Sequence, residues 1–507
     1  MLPVLGLVSG ALAIFLYSYI HNLRTANKTR RAALLKELGI SHAGTTIVGF
    51  FHPYCNAGGG GERVLWTAVS ILQRTEPDLV SVVYSGDVDA TTDEIIAKVK
   101  ARFDIELSPH TLHFVFLDSR HLVEDSTWKR FTLLGQSLGS MYLAWEAMSK
   151  LIPDLYIDTM GYAFTFHVVS WLGGIPIGAY VHYPTISTNM LERVKTRKKW
   201  HTNSDVISSS NVLSKGKLLY YRLFMYYYAH SLRQARFIMV NSSWTRNHID
   251  AILQHADPLL DALHFLPPLI FIKALLQRSN PSPKSARVVY PSCDTREMAK
   301  LPLEGRERVI LSVAQFRPEK DHPAQLHAFH KLLESHPEYR TPEKRVRLVL
   351  LGGSRNADDA TRVEGLKALA KELDIEQDHV QFVVNASYPE MLEWLSKASI
   401  GLSTMVDEHF GINVVEFMAA GAIPVAHASG GPLLDIVVPF EGEPTGYHAT
   451  SPETFAEALR TVLTLSLQAE LAMRSRARKW AVQRFSEDEF EKGWTASGWR
   501  SWLPRNL

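Results

Sequence analysis

The sequence predicts an α/β protein of two doubly wound domains facing a crevice, preceded by an N-terminal transmembrane helix. Three observations carry that expectation. Short runs rich in Val, Ile and Phe alternate with stretches whose apolar residues recur at helical spacing, the pattern of a parallel sheet covered on both faces. The alternation breaks off in the proline-bearing residues 267–305 and then restarts, dividing the chain in two. Residues 2–20 hold no charge and are followed by a cluster of cations. At 507 residues the chain is long enough for two domains that each bury a core.

The N-terminal run is near the lower length limit of a membrane-spanning helix. Arg24, Lys28, Arg30, Arg31 and Lys36 come after it, the reverse of a cleaved signal peptide. Positive-inside logic therefore expects an anchor at residues 1–22, a basic linker at 23–44 and the remaining chain in the cytosol. On that topology the sequons at Asn27, Asn241 and Asn385 face away from the glycosylating side.

The first domain is expected at residues 45–294, with strands at 45–54, 79–85, 112–117, 155–158, 177–182 and 237–241. Residues 58–61 are all glycine and form a turn after the first strand; residues 62–74 then carry Val64, Leu65, Ala68, Val69 and Leu72 at helical spacing. A linker at 295–306 leads to a second domain at 307–478, with strands at 309–314, 346–351, 380–384, 400–404 and 423–427. Helices are expected there at 322–333, 362–373 and 389–397. Both domains are Rossmann-like, with ligands expected outside the carboxyl ends of the strands.

Two segments depart from the alternation. Residues 218–228 are rich in Tyr, Phe, Leu and Met, with Lys215, Lys217 and Arg222 nearby, and Arg193, Lys195, Arg197, Lys198 and Lys199 form a basic cluster upstream. They read either as an interface-lying helix facing acceptor and membrane or as a core helix beside a solvated loop. A net charge of +2 argues against nucleic acid as a partner. Cys55 and Cys293 are too few for a disulfide framework or a four-cysteine zinc site, and no His/Cys/Asp cluster has metal-ligand spacing.

The chemistry concentrates around residues 408–421. A β-branched run at 400–404 leads into a turn with Glu408 and Gly411, and a helical pattern follows up to Gly421. Asn413 and Glu416 have the spacing of a capping box, and Gly421 is placed for a left-handed C-cap. A helix start beside a glycine accepts an anion, so the site looks built for a phosphate flanked by two carboxylates. Arg317 and Lys320 follow the first strand of the second domain, at the same sheet edge, and suit a diphosphate. The glycine turn lets a ligand approach the backbone, and His182 ends a strand of the first domain. Asp87 and Asp89 imitate a metal-holding acidic pair but read as a turn. Glu408 and Glu416 also have an alternative as a glycosidase acid/base pair, which would need no phosphate-shaped helix end.

Glu408 and Glu416, with Phe410, Gly411, Ala419, Gly421, Pro424, Gly430 and Gly431, resemble the retaining GT-B nucleotide-sugar glycosyltransferases. The phrase from His52 through the four glycines to Trp66, with His182, Asn241 to Thr245 and Val289 to Asp294, is similar to the GDP-mannose-dependent α-1,2-mannosyltransferases of asparagine-linked glycosylation. The resemblance covers residue 45 to the C-terminus and implies roles position by position. Glu408 would contact the transferred sugar and Glu416 the nucleotide ribose. The amides of Phe410, Gly411 and Ile412 would line the sugar and diphosphate, which Arg317 and Lys320 would hold and which Gly59 and Gly60 would let approach. His182 would stand near the sugar, and residues 479–507 would supply a helix crossing back to the first domain. His409 stands where many relatives carry a small polar residue.

The implied activity is transfer of mannose from GDP-mannose to a dolichol-diphosphate oligosaccharide with retention, on the cytosolic face of the endoplasmic reticulum membrane. No metal or other cofactor is expected, and a complex with other mannosyltransferases of the pathway is. The alternatives are a sister α-1,3 or α-1,6 mannosyltransferase, a UDP-sugar transferase, and a non-catalytic membrane scaffold of the same fold.

Overall fold

The computed structural model describes residues 2–42, 44–186, 211–266 and 285–504, and the chain divides into two compact units. The first comprises Met1–Asn241, Thr245–Val289 and Glu491–Leu507; the second comprises Ser242–Trp244 and Tyr290–Phe490.

In the first unit β1 (Ile47–Phe51), β2 (Val80–Ser85), β3 (Leu112–Phe116), β4 (Leu155–Asp158), β5 (Ile177–Val181), β6 (Phe237–Val240) and β7 (Arg287–Val288) form one parallel sheet in the order β3-β2-β1-β4-β5-β6-β7. β1, β2, β4, β5 and β6 are buried along their whole length, as apolar runs without alternation require between two layers of helices. The order reverses between β1 and β4, which opens a crevice outside their carboxyl ends.

The second unit repeats the plan. β8 (Glu307–Val313), β9 (Arg347–Gly352), β10 (Val380–Val384), β11 (Ala398–Ser403), β12 (Ile423–His427) and β13 (Tyr447–Ala449) are all parallel, in the order β10-β9-β8-β11-β12-β13. Its switch point lies between β8 and β11, so the loops after those two strands flank the crevice. β7 and β13 escape the sequence reading because edge strands of two and three residues hold too few positions to show a period.

Several expectations need correction. Residues 23–37 are not a linker; they continue helix α1 (Leu2–Glu37). Leu23, Leu34 and Leu35 are buried on the first unit, and the buried Asn27 amide brackets Ile152, donating to its carbonyl at 3.0 Å and accepting from its N–H at 2.8 Å. Arg31 pairs with Asp154 at 2.8 Å, so part of the basic run is spent on packing rather than on a membrane. Ile14, Phe15 and Tyr17 are exposed on the same helix, and among the described residues no helix is long and apolar enough to cross a membrane.

The aromatic stretch 218–228 belongs to the helix Asn211–Leu232, whose Tyr221, Phe224, Met225 and Tyr228 are core residues of the first unit. Arg222 forks onto Asp257 at 2.5 and 2.8 Å, an intraprotein role where an acceptor or membrane contact was expected. Arg193, Lys195, Arg197, Lys198 and Lys199 lie outside the described residues. At the C-terminus, residue 479 falls inside the helix Leu467–Phe485, which packs in the second unit through Ala477, Ala481 and Phe485. The return to the first unit comes later: Trp494 and Trp499 are buried, and Arg74–Glu491 and Arg500–Glu76 pair at 2.6 and 2.5 Å.

Candidate active site

At the second unit's switch point the chain leaves β11 and passes through Thr404 to Glu408 before the helix Ile412–Ala420. The loop after β8 meets it there. Thr404 Oγ1 donates to the carbonyls of Lys320 and Asp321 within 3.2 Å and accepts from Gln325 Nε2 at 3.1 Å. Sewn together in this way, the two loops bring Lys320 Nζ to 2.6 Å from Glu408 Oε2 and 3.1 Å from Met405 Sδ. Glu408 is buried, so the ammonium beside it balances a charge that would otherwise be costly there. Arg317 opens the short turn Pro318–Lys320, half-exposed, with Glu319 at 4.0 Å.

The helix start differs from the expected capping box. Gly411, at φ 111°, is the N-cap, and no side chain caps the helix. Asn413 Nδ2 donates instead to the Val313 carbonyl at 3.2 Å, tying the helix to the end of β8. Val414 and Val415 donate to the Gly411 carbonyl, which leaves the amides before them aimed out of the helix end, where the dipole favours an anion. Ile412 is the first helical residue, Glu416 is half-buried one turn on, and Gly421 closes the helix in the left-handed conformation as expected. Phe410 is buried, its ring between Tyr290 and Phe485, so its side chain anchors the turn.

Gly430 and Gly431 fit against the same turn. A Cβ on Gly430 would stand 2.1 Å from the Glu408 carbonyl oxygen, and one on Gly431 2.4 Å from that of Phe410; Gly431 N–H donates to Glu408 O at 2.7 Å. His409 packs on Trp244, and burial lowers its pKa to about 4, so it is neutral at pH 7. The grip of Thr404 and Gln325 has no sequence signal beyond a threonine at a strand end.

In the first unit, Gly59 is the N-cap of α2 (Gly60–Thr75), and its N–H is already taken by Glu62 Oε2 at 2.9 Å. Gly60 begins the helix. A Cβ on Gly61 would lie 3.5 Å from His182 Nε2, an ordinary contact distance, so the turn stands directly beside the histidine. The His182 carbonyl accepts from Asn241 Nδ2 at 2.9 Å, which makes this sequon asparagine a buried structural group. His52 is buried and hydrogen-bonds Thr159 at 2.8 Å; burial, reinforced by His182, lowers its pKa to about 3. His182 also lines a pocket of about 240 Å³ with Gln136, Ser137, Met160, Tyr162 and Thr185. Asp158, at the end of β4, accepts from the Met160 and Gly161 amides at 3.0 and 2.9 Å and so shapes that wall; burial raises its pKa to about 7.

Asp87 serves structure: it pairs with Arg120 at 2.5 Å and accepts from Asn56 N. Among the described residues one group has metal-ligand proximity, Glu376, Asp378 and His379, outside the candidate site, and its carboxylates have Arg340 and Arg345 at 3.8 and 2.9 Å.

Two parallel sheets of the same strand order, with a loop carrying Arg317 and Lys320 beside a helix start in the second, are the architecture of a glycosyltransferase of the GT-B class. Residues 294–480 match the family described as glycosyl transferases group 1. Solved structures with this fold include a trehalose-6-phosphate synthase from Burkholderia multivorans (14% identity, TM-score 0.60, 90% of this chain and 98% of that one). Another is the sucrose-phosphate synthase of Thermosynechococcus elongatus (16%, TM-score 0.56, 90% and 98%).

Residues 45–253 match the ALG11 mannosyltransferase N-terminus. The human GDP-Man:Man(3)GlcNAc(2)-PP-Dol alpha-1,2-mannosyltransferase is 46% identical over 88% of this chain and 85% of its own length. Its namesakes in Dictyostelium discoideum and Caenorhabditis elegans are 44% and 40% identical, over 87% and 88% of this chain and 82% and 89% of theirs. The chain belongs to this family of alpha-1,2-mannosyltransferases.

Proposed function

We propose that the protein transfers mannose from GDP-mannose to the 2-hydroxyl of a mannose on a dolichol-diphosphate oligosaccharide, with retention of the α configuration. Family membership supports the reaction, and the observation that carries the site is the Lys320–Glu408 pair at 2.6 Å beside the Gly411 helix start. A departing nucleoside diphosphate gains negative charge as the glycosidic bond breaks. Lys320, Arg317 and the helix-start amides of Gly411 and Ile412 meet that charge with groups already in place, which lowers the barrier without a metal. Glu408 holds Lys320 and contacts the mannose, and Glu416 takes the ribose. Gly59, Gly60 and His182 of the first unit serve the donor's diphosphate and sugar; since the Gly59 amide is engaged by Glu62, its part is to leave room rather than to donate. The leaving phosphate accepts the acceptor's proton.

In the same reading the N-terminal part of α1 anchors the protein to the endoplasmic reticulum membrane with both units cytosolic, alongside other mannosyltransferases of the pathway. The deciding experiment is incubation of purified protein with GDP-mannose and a synthetic lipid-linked core, followed by digestion with a linkage-specific mannosidase. Product resistant to an α-1,2-specific enzyme overturns the linkage, and donor binding without product points to a scaffold.

A further inference from the structure

Helix α4 (Thr132–Lys150) has two faces of different character. Between Arg130 and Glu146 the sequence carries no charge. On the outer face Phe131, Leu134, Leu138, Tyr142 and Trp145 are exposed at steps of three and four, Phe131 by 66% and Leu138 by 54%. Single exposed apolar residues are ordinary; a stripe along a whole helix is not. It does not stop at α4. Trp145 Nε1 donates to Tyr19 Oη at 2.7 Å, joining the stripe to α1, where Ile14, Phe15 and Tyr17 are exposed. At the other end the Phe131 ring meets Tyr220, whose hydroxyl accepts from Leu134 N at 3.0 Å, and exposed Leu219 stands next to it in sequence. Lys129 and Arg130 are exposed just before the stripe. An uncharged apolar strip with tyrosine and tryptophan tips and cations at its edge has the composition of a bilayer-lying surface, and its cations complement anionic headgroups.

The inner side of the same helix contributes Leu133, Gln136, Ser137 and Ser140 to the pocket that holds His182. We propose that the α4 stripe, together with exposed Ile14 to Tyr17 of α1, lies in the headgroup–acyl boundary of a lipid bilayer. There it presents the His182 pocket to the sugars of an acceptor whose lipid is embedded in that bilayer. The pocket's role rests on the proposed function; the bilayer contact does not. The aromatic helix Asn211–Leu232, the obvious candidate from sequence, has spent most of its rings on the core, and α4 takes the surface role instead.

The test uses the full chain and flotation with phosphatidylcholine vesicles, with and without phosphatidylserine. The triple variant Leu134→Glu/Leu138→Glu/Tyr142→Glu is expected to partition at least about tenfold less onto both. Lys129→Glu/Arg130→Glu is expected to lose about fivefold per charge on the phosphatidylserine vesicles only. Transfer to a long-chain lipid acceptor in vesicles falls with partitioning, while transfer to a short-chain soluble analogue of the same glycan is unchanged. Leu134→Ser/Leu138→Ser replaces the triple variant should the latter melt early. Vesicle binding equal to wild type overturns the proposal, as does conversion of a wild-type dimer to a monomer, which would make the stripe a protein interface. If the wild type transfers mannose to neither acceptor, the catalytic reading fails and flotation still decides the bilayer contact.

Discussion

The two units share one strand order and use it for different chemistry. At the second unit's switch point the loops carry charge: Arg317, the Lys320–Glu408 pair and a dipole-bearing helix start. The corresponding edge of the first unit carries Gly61 beside His182, buried His52 and a pocket walled largely by serine, tyrosine and apolar groups. The sheets position; the loops choose the ligand. A diphosphate needs fixed positive charge, whereas a neutral sugar chain needs room and hydrogen-bonding edges. The contrast fits the proposed division, in which the charged groups for the donor's diphosphate come from the second unit, while the first leaves room for the donor and offers the glycan an uncharged pocket.

The largest effect expected from breaking this contrast is in the second unit. Lys320→Ala is expected to cost about a hundredfold to a thousandfold in turnover, and Arg317→Ala to act in the same direction, with folding retained. Near-normal single-turnover transfer in both would remove the donor site from this edge. Next comes Gly430→Ala, which forces a Cβ to 2.1 Å from the Glu408 carbonyl at φ 63°. About 3 kcal/mol lost in urea unfolding, with transfer reduced, is expected. Gly442→Ala, also at positive φ but with nothing within 4 Å, is expected to cost about 1 kcal/mol and leave transfer alone.

A third test treats the units alike. His52 in the first and His322 in the second are buried, with pKa lowered by burial to about 3 and about 4. Each binds its proton more readily unfolded than folded. Their stability contribution is therefore fully present above the unfolded value near 6.5, and it is lost as pH falls from there toward 4. Each adds at most about 1.4 kcal/mol per pH unit to the slope, and urea midpoints between pH 7 and pH 4 measure it. A flat profile would mean that both imidazoles take up protons in the fold as readily as in the unfolded chain. A small effect, about 1 kcal/mol like that of Gly442→Ala, is expected from Asn413→Ala, because the residue bonds to Val313 O rather than capping the helix; Asn413→Asp, which would serve a cap well, is expected to do no better.

Much of this was legible beforehand for a physical reason. Buried parallel strands are largely apolar along their length, so runs such as 155–158 and 423–427 fall at the observed bounds, and the half-exposed edge strand 380–384 does so through its β-branched residues. Glycine is readable where backbone demands it, as at Gly421 and Gly411. The capping box at Asn413 misled because a three-residue spacing does not say which residue leaves helical geometry; Gly411, two residues earlier, does. The basic run after residue 22 and the aromatic stretch 218–228 misled because composition does not say whether a side chain meets lipid or protein.

What the sequence determined by itself is local and periodic: two α/β units, the order of their longer strands and the helices between them, and the glycine that closes the helix at Gly421. Only the tertiary structure decided which groups meet, since Lys320 and Glu408 lie 88 residues apart and come together through crossovers and the Thr404 grip. It also decided which apolar surfaces remain outside, because burial is a property of the packed chain and not of any residue within it.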